Sequence, residues 1–363
     1  MKVLILSGAS SIHTIRWVNA LSRRNIKVIL VSQHYPIEEI DNNVKVYIFK
    51  NYGSLGYYLL INKVKKIIEI EKPDLINAHY ASGYGTTARL LNFHPYILSV
   101  WGSDIYDFPY KSFLHRGLIN KNLLAADIIA STGNNMANQI KEICNDIAVK
   151  DIYITPFGVD LDNYKNNYFK ERGNKIVIGT VKALKCVYGI DILIKAYNRV
   201  LEMRPDLKNI LYLRVTGSGP EKENIIKLIK NLNLNDYVEL VERVPHNEVP
   251  LALQDLDIYL ALSRKESFGV AVIEAAAALK PIIVSDVGGL PEVITQNKTG
   301  IIVPNESFED AALAIINLLE DPNKMKELAF SAKESIGNRY SWDNCVDIMI
   351  NCFNNAINKD LVK

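Results

Sequence analysis

Ser263-Arg264-Lys265-Glu266-Ser267-Phe268-Gly269-Val270-Ala271-Val272-Ile273-Glu274-Ala275-Ala276-Ala277 runs from a polar loop, through a turn at Gly269, into an alanine-rich helix. The apolar residues Ile258 to Leu262 just upstream read as a buried strand, so the unit is strand, loop, helix. In an open α/β sheet, ligands bind outside the carboxyl end of a strand. The helix start adds free N–H groups and a positive dipole end, which suit a phosphate. A carboxylate beside a phosphate is costly unless it holds something else, and sugar hydroxyls are the natural candidates. Glu266 and Glu274 stand eight residues apart, which in a helix is about 12 Å of rise and roughly 80° of rotation. They cannot flank one bond as a tight pair, which argues against a hydrolytic dyad and fits an elongated ligand, a nucleoside diphosphate carrying a sugar. The plainer account makes Glu266 a helix-start carboxylate favoured by the dipole and Glu274 a solvated helix position.

Outward from this stretch, strands and helices alternate along the whole chain. Lys2–Leu6, Lys27–Val31, Val44–Phe49, Leu75–Ala78, Tyr96–Val100, Ile128–Ser131 and Ile152–Thr155 read as strands of a first domain. Ile12, Ile15, Val18 and Leu21 recur at helical spacing behind Ser10 or Ser11 as N-cap, and a second helix runs around 55–70. A second series takes Ile176–Gly179, Leu211–Thr216, Val238–Val241, Ile258–Leu262, Pro281–Ser285 and Gly300–Val303. This pattern predicts two parallel, doubly wound, Rossmann-like α/β domains. Their bounds are 1–160 and 175–340, with the polar, aperiodic 161–174 as linker. The tail 341–363 reads as a helix.

Bulk properties agree. The chain has 363 residues, too long for one ordinary core, and no apolar run near the ~20 residues of a membrane-spanning helix. A net charge of +2 gives no reason to expect nucleic acid. The early polar residues Ser7 to Ser11 make Met1–Leu6 a first strand rather than a signal peptide. Cys144, Cys186, Cys345 and Cys352 show no CxxC spacing, which predicts free thiols in a cytoplasmic protein. Asp255 and Asp257 read as helix-end and loop residues, so no metal is expected.

Pro281-Ile282-Ile283-Val284-Ser285-Asp286-Val287-Gly288-Gly289-Leu290-Pro291-Glu292 follows the opening stretch, and then Thr299-Gly300-Ile301-Ile302-Val303-Pro304. Together these segments resemble the nucleotide-binding half of the family-4 glycosyltransferases, of GT-B architecture. Pro156-Phe157-Gly158-Val159-Asp160, Thr216-Gly217-Ser218-Gly219-Pro220 and Trp101-Gly102-Ser103-Asp104 extend the likeness over roughly residues 1–345. The resemblance implies two domains facing across a cleft, with the helical tail packed back on the first. It implies transfer with retention, without a cofactor or metal, from a UDP-sugar to a saccharide or lipid-linked saccharide of a surface polysaccharide.

Residue by residue, the resemblance implies that Glu274 accepts from the ribose hydroxyls and Glu266 contacts the transferred sugar. Ser267 and the backbone N–H groups of Phe268, Gly269 and Val270 hold the diphosphate. Gly217 and Gly8, in turns after strands, are further donor-side positions. The family places two basic residues after the Gly179 turn, but Thr180 stands where its arginine would be and Tyr188 directly precedes Gly189. Lys182 and Lys185 are the available cations for the leaving diphosphate. Asp104 either orients or deprotonates the incoming hydroxyl or caps the next helix. His79, ending a strand, is an acceptor contact or a hydrogen-bonded structural histidine. His13 and Arg16 face either the cleft or solvent. Trp101 stands where many relatives have histidine.

Lys63, Lys65, Lys66, Lys111, His115, Arg116 and Lys121 mix with Tyr57, Tyr58, Phe108, Tyr110 and Phe113. Such a surface either docks on anionic lipid at the inner membrane face or is a plain solvated one. A sugar-nucleotide 2-epimerase of the same fold and a non-catalytic nucleotide-sugar-binding protein are the alternatives. A phosphorylase would need a pyridoxal lysine and a much longer chain.

Overall fold

The computed structural model describes residues 1–149, 152–171 and 173–360. They divide into two compact units, one of Met1–Pro156 with Asn344 onward, the other Phe157–Asp343.

The first unit runs β1 (Lys2–Leu6), α1 (Ile12–Arg23), β2 (Lys27–Ser32), β3 (Lys45–Ile48), α2 (Gly56–Glu71), β4 (Leu75–His79), α3 (Gly83–Leu91), β5 (Tyr96–Val100), α4 (Ser103–Tyr106), α5 (Phe113–Ala125), β6 (Ile128–Ser131), α6 (Asn134–Ile143) and β7 (Ile152–Ile154). Its seven strands form one sheet in the order β3-β2-β1-β4-β5-β6-β7. Every pairing is parallel, with Leu4 opposite both Ile29 and Ile76. Leu4, Leu6, Ile29, Val31, Ile76 and Leu98 form its buried centre.

The second unit runs β8 (Ile176–Val181), α7 (Ile190–Met203), β9 (Leu211–Thr216), α8 (Lys222–Asn231), β10 (Val238–Val241), α9 (Val249–Gln254), β11 (Ile258–Ala261), α10 (Val270–Ala277), β12 (Ile282–Ser285), α11 (Leu290–Val293), β13 (Ile301–Val303), α12 (Phe308–Glu320) and α13 (Pro322–Tyr340). Its six strands are parallel in the order β10-β9-β8-β11-β12-β13. Ile178, Leu213, Leu260 and Ile283 pack with Leu193 and Tyr197 of α7 and Ile315 of α12. Strands such as Ile282-Ile283-Val284 are apolar on both faces because both faces are buried.

Both sheets are the doubly wound arrangement that the alternating pattern predicts. In each, strand order reverses beside the first strand, between β1 and β4 and between β8 and β11, where an open α/β sheet leaves its binding crevice. The Glu266 stretch follows β11 and so lies on the second of these points.

Side chains cap the starts of α12 and α13. Ser307 Oγ accepts from Asp310 N at 3.2 Å, and Asp321 Oδ1 accepts from Lys324 N at 2.9 Å ahead of Pro322. Ser11 occupies the N-cap position of α1, but its side chain makes no capping bond.

One boundary differs from the sequence pattern. The described part of 161–174 is no linker and belongs to the second unit. It lacks periodicity because its residues attach one at a time. Tyr164 is buried, and Phe169 rests on the core, its ring 6.2 Å from that of Phe330. Asn167 donates to Pro250 O at 2.8 Å, and Lys170 pairs with Asp257 at 3.0 Å.

The expected tail is α14 (Trp342–Asp360), set off from α13 by a break at Ser341. There Val159 N donates to Tyr340 O at 2.8 Å and Trp342 N to Val159 O at 2.9 Å. From Asn344, α14 belongs to the first unit and buries Cys345, Met349, Cys352 and Phe353. Burial pushes the Cys345 and Cys352 thiols up to about 12, so these free cysteines are inert. No helix among the described residues is long and apolar enough to cross a membrane.

Candidate functional site

The loops at the reversal point of the second sheet are fastened to one another before any side chain reaches outward. Ser285 Oγ, at the end of β12, donates to Ser263 O at 2.6 Å. Gly289 N donates to Glu266 O at 3.0 Å. A Cβ on Gly288, whose φ is +51°, would sit 1.8 Å from that same Glu266 oxygen. Only glycine allows this approach. The double-glycine turn thus supports the main chain that presents Glu266.

Lys182, one residue past β8, reaches the same place. Its Nζ donates to the Glu266 carboxylate and, at 3.2 Å, to Ser263 Oγ. It also lies 4.5 Å from the centre of the Tyr188 ring. The Lys182 and Glu266 side chains are only 8% and 13% exposed. Removing this much water strengthens the attraction and raises the cost of separating the pair. Lys182 N donates to Thr216 O at 2.9 Å, and a Cβ on Gly217 would lie 1.9 Å from Lys182 O. Gly217 therefore keeps the β9 turn tight against the Lys182 loop. Lys185 is exposed and takes no part in this cluster.

At the start of α10, Val272 N and Ile273 N both bond to Gly269 O, at 2.9 and 3.2 Å. The N–H groups of Gly269 and Val270 precede the first helical carbonyl they could use, so the helix itself leaves them without acceptors. Half-buried Ser267 and buried Phe268 lead into them. The Phe268 ring is an anchor, edge-on to Tyr340 at 5.3 Å and to Phe157 at 6.2 Å, while its backbone stays at the helix mouth. Glu274, on the same helix, is no solvated position: its side chain is 10% exposed. His246 Nε2 lies 3.9 Å from its Oε1. His246 belongs to none of the sequence motifs. Its signal was position, in the short turn that follows β10 on the same carboxyl side of the sheet.

Arg264 lies within the opening motif but has no expected role there. Its guanidinium takes both Asp191 oxygens at 2.8 Å, Glu306 at 2.7 Å and Cys186 O at 2.9 Å. Burial pushes the Asp191 carboxyl up, but Arg264 more than offsets this and holds it below the usual range. Because Asp191 lies in the first turn of α7, Arg264 ties the loop after β11 to the loop after β8.

The candidates of the first unit lie around the reversal point of its own sheet, where they mostly serve the fold. His79 is 1% exposed. Its Nδ1 meets Ser7 Oγ at 3.0 Å and its Nε2 meets Asn77 Oδ1 at 2.9 Å. The Asn77 oxygen is an acceptor, which places the ring proton on Nε2 and leaves Nδ1 to accept from Ser7. Burial holds the imidazole down to about 3, so it is neutral. With both nitrogens taken, His79 follows the structural alternative and not the acceptor-contact one.

Asp104 is 2% exposed, with burial raising its pKa. Its Oδ2 accepts from Ala81 N at 2.8 Å, its Oδ1 from Gly102 N at 2.9 Å and Trp101 N at 3.2 Å. Both oxygens brace loops, and Asp104 does not cap α4, whose N-cap position is Gly102. The Trp101 ring lies against that of His79, tilted by 40°, with ring centres 4.3 Å apart. At Gly8 a Cβ would meet only ordinary contacts, the nearest His34 Nδ1 at 3.4 Å, so nothing in the fold requires glycine there.

Comparison with known proteins supplies the context for this geometry. The family described as "Glycosyl transferases group 1" matches residues 164–335, and "Glycosyl transferase 4-like" matches 2–133. An uncharacterised glycosyltransferase of Methanocaldococcus jannaschii is 27% identical over 95% of this chain and 96% of its own. The N-acetyl-alpha-D-glucosaminyl L-malate synthase of Bacillus anthracis is 27% identical over 76% of this chain and 73% of its own. Among solved structures, an Anabaena protein in complex with UDP and glucose superposes with a TM-score of 0.76 at 17% identity, covering 98% of this chain and 99% of its own.

Proposed function

Since the chain belongs to the family-4 glycosyltransferases, of GT-B architecture, and is a hexosyltransferase-type enzyme, we propose that it takes its sugar from a nucleoside diphosphate and passes it on with retained configuration. The observation that carries this reading is the near-buried Lys182–Glu266 pair beside the open N–H groups of α10, with Glu274 further along the same helix. Glu274 accepts from the ribose hydroxyls. The N–H groups of Phe268, Gly269 and Val270 hold the diphosphate. Lys182 stabilises the charge that develops as the sugar–phosphate bond breaks. Glu266 contacts the sugar and holds Lys182. Lys185 remains a weaker candidate for the same diphosphate.

An ion-paired carboxylate is a poor nucleophile, which favours same-face transfer over a double displacement. In that step the acceptor oxygen bonds to the anomeric carbon as the phosphate oxygen leaves and takes the acceptor proton. No metal ion or cofactor takes part. UDP is the proposed base, in keeping with the Anabaena neighbour, which was solved with UDP and glucose. The proposed acceptor is a saccharide or lipid-linked saccharide of a surface polysaccharide, and the site is the cytoplasmic membrane face. Support for that place comes from Tyr110, Phe113 and Leu114, which are 60%, 82% and 69% exposed beside Lys111. Arg116 gives less support, because its guanidinium donates to the carbonyls of Glu142 and Ile143.

The test is a thermal-shift screen of UDP-, GDP- and ADP-sugars, followed by turnover with and without a chelator. A specific donor raises the unfolding temperature by mass action. Glu274→Ala weakens UDP binding by about 1.5–3 kcal/mol, the cost of hydrogen bonds to a charged group. Tight UDP binding with no transfer from any donor would leave the protein a binding subunit. Inversion at C2 of the donor sugar would make it an epimerase.

A further inference from the structure

Three groups grip the Lys182 ammonium, and one of them, Tyr188, has no place in the expected donor site. Glu266 and Ser263 accept its hydrogens, and the Tyr188 ring lies under it at 4.5 Å. The ring is carried by a tightly fastened turn. Gly189 has φ +62°, and a Cβ there would lie 1.9 Å from Leu262 O, so the turn lies flat on the end of β11. Tyr188 N donates to Lys185 O at 3.0 Å, and Arg264 N donates to the neighbouring Val187 O at 2.8 Å. Burial and the Glu266 charge push the phenol pKa upward, so the ring stays neutral. A neutral aromatic face attracts an ammonium without cancelling its charge, as a second carboxylate would.

We propose that Tyr188 is a positioning residue for Lys182, its ring replacing water on one side of the ammonium and fixing it while the positive charge stays available to an anion. The proposal rests on the reading of Lys182 as the cation for the leaving diphosphate.

The experiment compares the full-length protein with Tyr188→Phe, Tyr188→Leu and Tyr188→Met, each checked for folding by circular dichroism. It reads kcat and donor KM, together with the rate at which acetic anhydride labels Lys182, followed by mass spectrometry. Tyr188→Phe keeps the ring and stays within about twofold of wild type in both readouts. Tyr188→Leu and Tyr188→Met lower kcat roughly tenfold with a smaller rise in KM, and Lys182 is labelled faster. Unchanged labelling in a folded Leu or Met variant overturns the proposal, and so does a Phe variant as impaired as Leu. Ring-dependent labelling in a protein that turns over no donor keeps the clamp and sinks the transfer reading. Normal turnover without ring dependence sinks the clamp alone.

Discussion

Arg264 and Asp191 stand 73 positions apart in the chain and meet in a two-pronged ion pair, both contacts 2.8 Å long. The planar guanidinium matches the carboxylate with two parallel bonds, which a lysine cannot do. Arg264→Lys therefore lowers stability by about 1–2 kcal/mol, read from urea unfolding, even though charge is conserved. The two loops it joins carry Lys182 and Glu266, so donor binding falls in the same variant. A Lys variant with wild-type stability would show the pair to be a surface ornament.

The Lys182–Glu266 pair gives a second test. Alanine at either position strands the other charge in a place with little water. Each single change costs about 3 kcal/mol. The double change removes both charges and costs less than the sum of the two, by about 0.5–3 kcal/mol of coupling. A double-mutant cycle in urea measures this, and strict additivity would mean the contact contributes nothing.

His79 makes the first unit sensitive to acid. The unfolded imidazole titrates near 6.5, whereas burial holds the folded one down to about 3. The unfolded chain therefore takes up a proton that the folded chain refuses. Its contribution is fully present above about pH 6.5 and is lost as pH falls toward 3, at up to about 1.4 kcal/mol per unit. His79→Gln, which can keep both hydrogen bonds, flattens the dependence of unfolding temperature on pH between 6.5 and 5. An unchanged slope would place the acid sensitivity elsewhere.

The strands were legible because they are buried on both faces. Ile282-Ile283-Val284 and Val28-Ile29-Leu30 are short apolar runs rich in β-branched residues, as strands covered on both sides are. The Glu266 stretch was legible because strand, turn glycine and helix adjoin in sequence. What could not be read were contacts made by folding. Tyr188 meets Lys182 only because Gly189 lets its turn lie on Leu262, and Arg264 meets Asp191 across 73 residues. Asp104 could be read as a base or a helix cap because the N–H donors it accepts from are backbone groups, of Ala81 and of Trp101 and Gly102, which fold back on it. Residues 161–174 looked like a linker because Tyr164 and Phe169 pack singly, with no repeat to betray it.

The helix α14 lies with residues it follows by 202 positions or more, as the bond from Asn355 Nδ2 to Tyr153 Oη and the pairing of Asp347 with Arg24 attest. During synthesis the first unit must therefore wait. Its seven strands leave the ribosome early, but the apolar bed for Cys345, Met349, Cys352 and Phe353 stays uncovered until the second unit has been made. The second unit alone has a contiguous stretch of chain and can close as it emerges. A nascent chain that has emerged as far as residue 343 should thus hold a finished second unit and an unfinished first one, reversing the order in which they were translated.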